Sequence, residues 1–186
     1  MIFQQSFKED IHYKRFHYGN LNIHLDMLPR WDHFIPWFDN LWNDPPDKVN
    51  NGEDQYEKNE WIKLYNETNR GFFVAPDNDH LDHFPVIQYI NSQAKKHLGL
   101  KISSWHLYGG FQSAVAIDKH TDTVDVMVIQ AIGVCPWKVF AKDKEKSSWS
   151  GALMPGNYLW LPKGLPHAAY PNQSRLGISL SFVKGK

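Results

Sequence analysis

The sequence predicts a mainly β fold with accessory helices, an α+β arrangement whose second half closes into a small sandwich or barrel. Three observations lead there. After Gly99 the chain breaks into short β-rich runs, at 102–108, 113–117, 124–132, 137–141, 158–161, 167–170 and 176–183. Turn residues separate several of them, at Gly109-Gly110, Pro155-Gly156-Asn157 and Pro171-Asn172-Gln173. Helical periodicity is confined to the part before Gly99. Many short strands at this spacing build a sandwich or barrel rather than alternating βα units.

Residues 1–99 are expected to supply helices and strands that pack on one side of a core formed by 100–186, the whole being one structural domain. Trp37, Phe38, Leu41 and Trp42 follow Pro36 at a spacing that predicts a short amphipathic helix with the proline in its first turn. Residues 43–60 are polar, rich in Asn, Asp and Pro, and read as a surface loop. Residues 70–75 read as a short strand. A helix over 85–98 buries a stripe of Val86, Ile87, Ile90, Ala94, His97 and Leu98, with Pro85 in its first turn and Gly99 just past its end. Residues 124–132 are apolar at nearly every position, which predicts a central strand covered on both faces.

Composition removes several function classes. Twenty basic side chains balance twenty acidic ones, so no surplus of positive charge points to nucleic acid or an anionic membrane surface. The single Cys135 excludes an internal disulfide and fits a reducing compartment. The first ten residues hold no apolar stretch of the secretory kind, and no run is long enough to span a bilayer. The expectation is a cytoplasmic protein.

The chemistry gathers in two places. His120-Thr121-Asp122 puts an imidazole and a carboxylate two residues apart, on one side of an extended segment. His167 closes the run Gly156-Asn-Tyr-Leu-Trp-Leu-Pro162-Lys-Gly164-Leu-Pro-His167. Two imidazoles and one carboxylate leave three positions of an octahedral iron open, the facial arrangement of non-heme Fe(II) oxygenases.

The Gly-Pro-Gly-His run resembles the second cupin motif in residue types and spacing, although the expected asparagine comes one position late, at Asn172. The first cupin motif is partly kept. His120 and the closing Gly133 are present, Asp122 replaces the second histidine, and the glutamate ligand falls on Val126. A four-ligand site thereby becomes a three-ligand one. With Gln130, Gly133 and Trp137 in register, the stretch from His120 to Trp137 resembles the JmjC-type, cupin-like oxygenases, and the likeness extends over about 100–183. That resemblance implies a double-stranded β-helix (a cupin or jelly-roll core) and His120, Asp122 and His167 as catalytic metal ligands. It also implies Fe(II) as cofactor, with 2-oxoglutarate and dioxygen as co-substrates. The implied reaction is hydroxylation of a C–H bond. The primary substrate stays open between a protein or peptide side chain and a small molecule.

One departure stands out. The family's basic residue for the distal carboxylate of 2-oxoglutarate falls on Cys135. Lys138 has the opposite strand parity and points away. Arg175 opens the last strand, eight residues after His167, and shares a face with Gly177, Ser179 and Ser181. Arg175 is therefore the expected anchor, helped by Ser179 or Ser181 as a hydroxyl donor, because a guanidinium grips a carboxylate with two parallel bonds. The uncharged position 135 keeps a second reading open, a metal-dependent cupin enzyme without 2-oxoglutarate. A ligand-binding cupin without catalysis is the third.

Other clusters rank below these. His106 and Tyr108 share a face on the strand before the metal loop. Asp79-His80-Leu-Asp82-His83 precedes a helix, where Asp82 suits the N-cap region. His24 and Asp26 read as a solvated, salt-linked strand. Cys135 has no basic neighbour in sequence to make it a nucleophile.

Overall fold

Two antiparallel sheets face each other in the computed structural model, which describes residue 3 and residues 5–40, 49–50, 55–68, 71–74, 83–111, 118–142 and 144–185. The helices are α1 (Gln5–His12), α2 (Trp31–Asn40), α3 (Lys58–Thr68) and α4 (Pro85–Leu98). The strands are β1 (His17–Asn20), β2 (Val49–Asn50), β3 (Gln55–Tyr56), β4 (Phe72–Val74), β5 (Leu100–Gly110), β6 (Asp125–Ile132), β7 (Cys135–Phe140), β8 (Ser147–Leu153), β9 (Asn157–Leu161), β10 (His167–Ala169) and β11 (Arg175–Lys184). The larger sheet has the order β1-β9-β6-β11-β5-β4-β2-β3, and the smaller one β10-β7-β8. This is the mainly β arrangement that the run of short strands predicts, in the two-sheet form that the cupin resemblance implies.

Strand alternation sorts the side chains into two cores. On the outer face of the larger sheet, Met127, Ile129 and Ala131 of β6 and Leu176, Ile178, Leu180 and Phe182 of β11 pack against helices. Phe34, Trp37 and Phe38 of α2 and Val86, Ile87, Ile90 and Ala94 of α4 come down on them. Each large side chain so buried contributes about 1.5–3 kcal/mol. Helices α2 and α4 therefore sit on one side, as expected. On the inner face, Val126, Val128, Leu159 and Leu161 meet Val139 and Leu153 of the smaller sheet. Strand β6 lies between β9 and β11 and is buried along six consecutive positions.

Several local readings hold. Helix α4 spans the expected residues, and Gly99 takes φ +65° with its N–H bonded to the Ala94 carbonyl. Strand β4 falls within 70–75. Others are corrected. Helix α2 begins at Trp31, so Pro36 lies inside it rather than in its first turn. Its aromatic face, Phe34, Trp37 and Phe38, is buried deeply enough to hold the helix despite the missing N–H. Leu41, Trp42 and most of 43–54 lie outside the described residues. Within the expected loop, β2 and β3 form a short pair and α3 starts at Lys58. The expected strand at 113–117 also falls outside the described residues. Strands β1 and β8, which the sequence reading passed over, form one edge of each sheet.

The turn between β6 and β7 fixes how the two sheets join. Gly133 has φ +71°, and a Cβ there would collide with the carbonyl oxygen of Ser174. Gly133→Ala is expected to destabilise the fold by about 2–4 kcal/mol. The check is a lowered urea midpoint with an unchanged slope.

Candidate metal centre

Two loops are tied together before any metal is considered. His120 and His167 exchange backbone N–H and C=O bonds, each 3.0 Å, in an antiparallel bridge that extends the smaller sheet. The turn before His167 braces the other loop, because the Gly164 N–H donates to the Asp122 carbonyl at 2.9 Å. Its φ of +76° explains the glycine in the motif. The Lys163 N–H donates to the Asp125 carboxylate at 2.8 Å, and Leu165 closes the turn onto Pro162.

These ties bring the three expected ligands together. One ligand atom from each of His120, Asp122 and His167 lies within 4.8 Å of the other two. His167 Nε2 stands 3.4 Å from Asp122 Oδ2, and the two imidazole rings are 4.4 Å apart, edge to face. His120 Nδ1 meets the Asp118 carbonyl at 2.7 Å, and His167 Nδ1 meets the Leu165 carbonyl at 2.9 Å. A carbonyl only accepts, so both Nδ1 atoms carry the proton and both Nε2 lone pairs face the shared space. At donor distances of about 2.0–2.2 Å, neighbouring ligands of a metal stand about 3 Å apart. The donor set and its spacing fit a divalent first-row metal.

The surroundings are polarised by burial and by Asp122. Burial, the largest cause, holds His167 below the usual histidine range. The His120 charge adds to this, while the Leu165 carbonyl and Asp122 oppose it. His106 is lowered by burial against the pull of Asp122, and burial together with Asp122 raises Tyr108. Both β5 side chains thus feel the carboxylate of the triad, which settles the side of the strand they share. Trp137 was noted in sequence only for its register, yet its ring centroid lies 6.0 Å from that of His167.

The inner face of β11 carries the polar residues that alternation assigns to it. Arg175, Ser179 and Ser181 are all buried. Arg175 pairs in register with Gly110, Gly177 with Tyr108 and Ser179 with His106. Lys138 lies with its ammonium 4.6 Å from the Tyr170 ring centroid, away from this face. Burial pushes the Cys135 thiol up to about 11, against the Arg175 charge, so it remains a thiol at neutral pH. Gln130 spends its amide N–H on the Ile132 and Leu176 carbonyls, a bracing role at the end of β6. His24 and Asp26 form an exposed pair at 3.0 Å on a single 3-10 turn, not a strand. Asp79, His80 and Asp82 lie outside the described residues, and His83 is exposed.

A JmjC domain model matches residues 85–186, more than half of the chain. The chain belongs to the JmjC domain family. The match starts at α4, earlier than the motifs alone indicate. No curated protein sequence matches significantly. Among solved structures, the JmjC chain is similar to the Escherichia coli ribosomal oxygenase YcfD, with 19% identity and a TM-score of 0.71 over 96% of this chain and 51% of that one. The YcfD complex with cobalt and 2-oxoglutarate gives 17% identity and a TM-score of 0.72, over 98% and 53%. The complex with cobalt and succinic acid gives 17% and 0.72, over 98% and 52%. The chain thus spans about half the length of the solved structures it matches.

His106 and His167 both have depressed pKa values in the folded state, against about 6.5 in the unfolded chain. Below 6.5 the unfolded state binds more protons at these sites, so stability falls as pH drops. Urea unfolding of metal-free protein between pH 7.5 and pH 5, about that range, should show this loss. His106→Gln should flatten part of it.

Proposed function

We propose that the protein is an Fe(II)- and 2-oxoglutarate-dependent oxygenase that hydroxylates a C–H bond. The observation that carries this reading is the two-histidine, one-carboxylate cluster with both Nε2 atoms turned inward, at the mouth of a JmjC barrel. His120 Nε2, His167 Nε2 and a carboxylate oxygen of Asp122 are the metal ligands. Three protein donors leave three positions for 2-oxoglutarate and dioxygen. When bound, the iron supplies dioxygen activation coupled to decarboxylation of 2-oxoglutarate to succinate and CO2.

The chain's own residues orient and shield. The Asp118 and Leu165 carbonyls hold the two imidazoles in one tautomer. Val126, Val128, Val139, Leu159 and Leu161 keep the inner wall apolar and exclude water. Arg175 provides the charge for the distal carboxylate of 2-oxoglutarate. Ser179 is four residues further along β11, about 13 Å of strand, and Ser181 about 20 Å. Ser179 comes near only the far end of the arginine side chain, and Ser181 lines the wall beyond. Of the two hydroxyls expected from the sequence, Ser179 or Ser181, strand rise favours Ser179.

The substrate we favour is a protein side chain. Its support is the fold shared with a protein whose structure is described as a ribosomal oxygenase. A cytoplasmic setting agrees with the single buried thiol. It also agrees with the described residues, among which no helix is long and apolar enough to cross a membrane.

His120→Ala and Asp122→Ala should each weaken Mn(II) binding at least about tenfold to a hundredfold and abolish succinate formation from 2-oxoglutarate. Calorimetry and a succinate assay read the two effects. Parent-like metal binding in either variant contradicts the ligand set. A parent protein that binds Mn(II) but forms no succinate points to a metal cupin of another reaction.

A further inference from the structure

Among the described residues, three small ones border Arg175. Gly110 faces it across the β5–β11 register, and Gly177 is its neighbour on the same face of β11. A Cβ at Gly177 would meet only ordinary contacts, 3.7 Å and beyond, so packing does not require that glycine. From the opposite sheet comes Cys135. The turn that precedes it is locked to this corner, because the position of a Gly133 Cβ lies 3.3 Å from Arg175 Cα. Gln173 Nε2 also donates to the Val134 carbonyl at 3.4 Å. Strand β7 therefore enters the smaller sheet directly over Arg175. The Cys135 thiol feels the Arg175 charge, an independent sign that the two side chains are neighbours.

Trp137 shares the inward face of β7 with Cys135, and among the described residues its buried Nε1 has no oxygen acceptor. The thiol beside it is a weak acceptor. A buried N–H without a strong acceptor is unfavourable unless a ligand oxygen comes to it. The Trp137 ring is 6.0 Å from that of His167, and on β7 it is next but one to Cys135 on the same face.

We infer that Arg175 and Cys135 are an exchanged pair: the cation that grips the distal carboxylate of the co-substrate has moved from β7 to β11. Cys135 is small and uncharged to make room for it, and Trp137 Nε1 is the second donor to the same carboxylate. This rests on the reading of the protein as a 2-oxoglutarate enzyme. A lysine or arginine at 135 would set a second buried cation against the first, so the two positions exclude one another.

The test uses Mn(II)-loaded protein and calorimetric binding of two acids, 2-oxoglutarate and 2-oxopentanoate, which share the chelating end but differ in the distal carboxylate. The parent should prefer 2-oxoglutarate by about tenfold or more, the scale of a lost charged hydrogen bond. In Arg175→Met that preference should fall to about twofold or less, with Mn(II) affinity unchanged. Adding Cys135→Lys to Arg175→Met should restore a preference of about fivefold or more, because the charge returns from the other strand. Trp137→Phe should lower the parent's preference by about threefold or more. If Arg175→Met does not fold, as judged by circular dichroism, the double variant and Trp137→Phe carry the test. An undiminished preference in Arg175→Met, or a double variant that folds and shows none, overturns the exchange. Unchanged preference in Trp137→Phe removes the indole from the subsite. A parent that binds Mn(II) but neither acid overturns the co-substrate reading itself, and is told apart by that parent result.

Discussion

Two backbone hydrogen bonds between His120 and His167, each 3.0 Å, set the conditions for everything else in the site. They force a loop before β6 and the start of β10 to run side by side, which puts two imidazoles from distant parts of the chain edge to face. Asp122 follows from strand parity alone once His120 is placed. The bridge in turn depends on the 162–165 turn, whose glycine reaches a positive φ that leaves its N–H free to hold Asp122's carbonyl. Backbone geometry thus prepares the ligands, and no side chain has to move far to meet a metal. Such preorganisation is what lets three donors hold a metal while leaving half its positions open.

The division of the barrel into two cores explains why a polar cluster fits inside it. The outer face of the larger sheet is sealed by aromatic and aliphatic residues of α2 and α4 and carries most of the burial. The inner face packs Val126, Val128, Leu159 and Leu161 on the smaller sheet and also carries Arg175 and Ser179 on β11 and His106 and Tyr108 on β5. Those polar groups form a continuous strip, in register across β5 and β11, beside the triad.

Much of this was legible in the sequence, for identifiable reasons. The triad was visible because strand parity, the glycine turn and the Pro-Gly-His spacing each constrain residue type. Helix α4 was visible because proline and glycine mark both its ends. The inward face of β11 followed from strict alternation of polar and apolar residues. The failures have physical causes too. β1 and β8 are edge strands with polar, exposed positions, so they carry little apolar periodicity. Helix α2 runs through Pro36 because tertiary burial of its aromatics outweighs the local penalty. Trp137's place beside His167 depends on the pairing of β7 with the distant strand β10, and no local pattern encodes that.

The central claim is that one metal sits between His120, Asp122 and His167 with its remaining positions turned toward Arg175. A crystal structure grown without oxygen, with Mn(II) and 2-oxoglutarate, tests it most directly. The account predicts metal density about 2.0–2.2 Å from both Nε2 atoms and one Asp122 oxygen, with the acid chelating the metal and its far carboxylate against Arg175. Metal bound at other residues, or a triad left empty at saturating Mn(II), would contradict it.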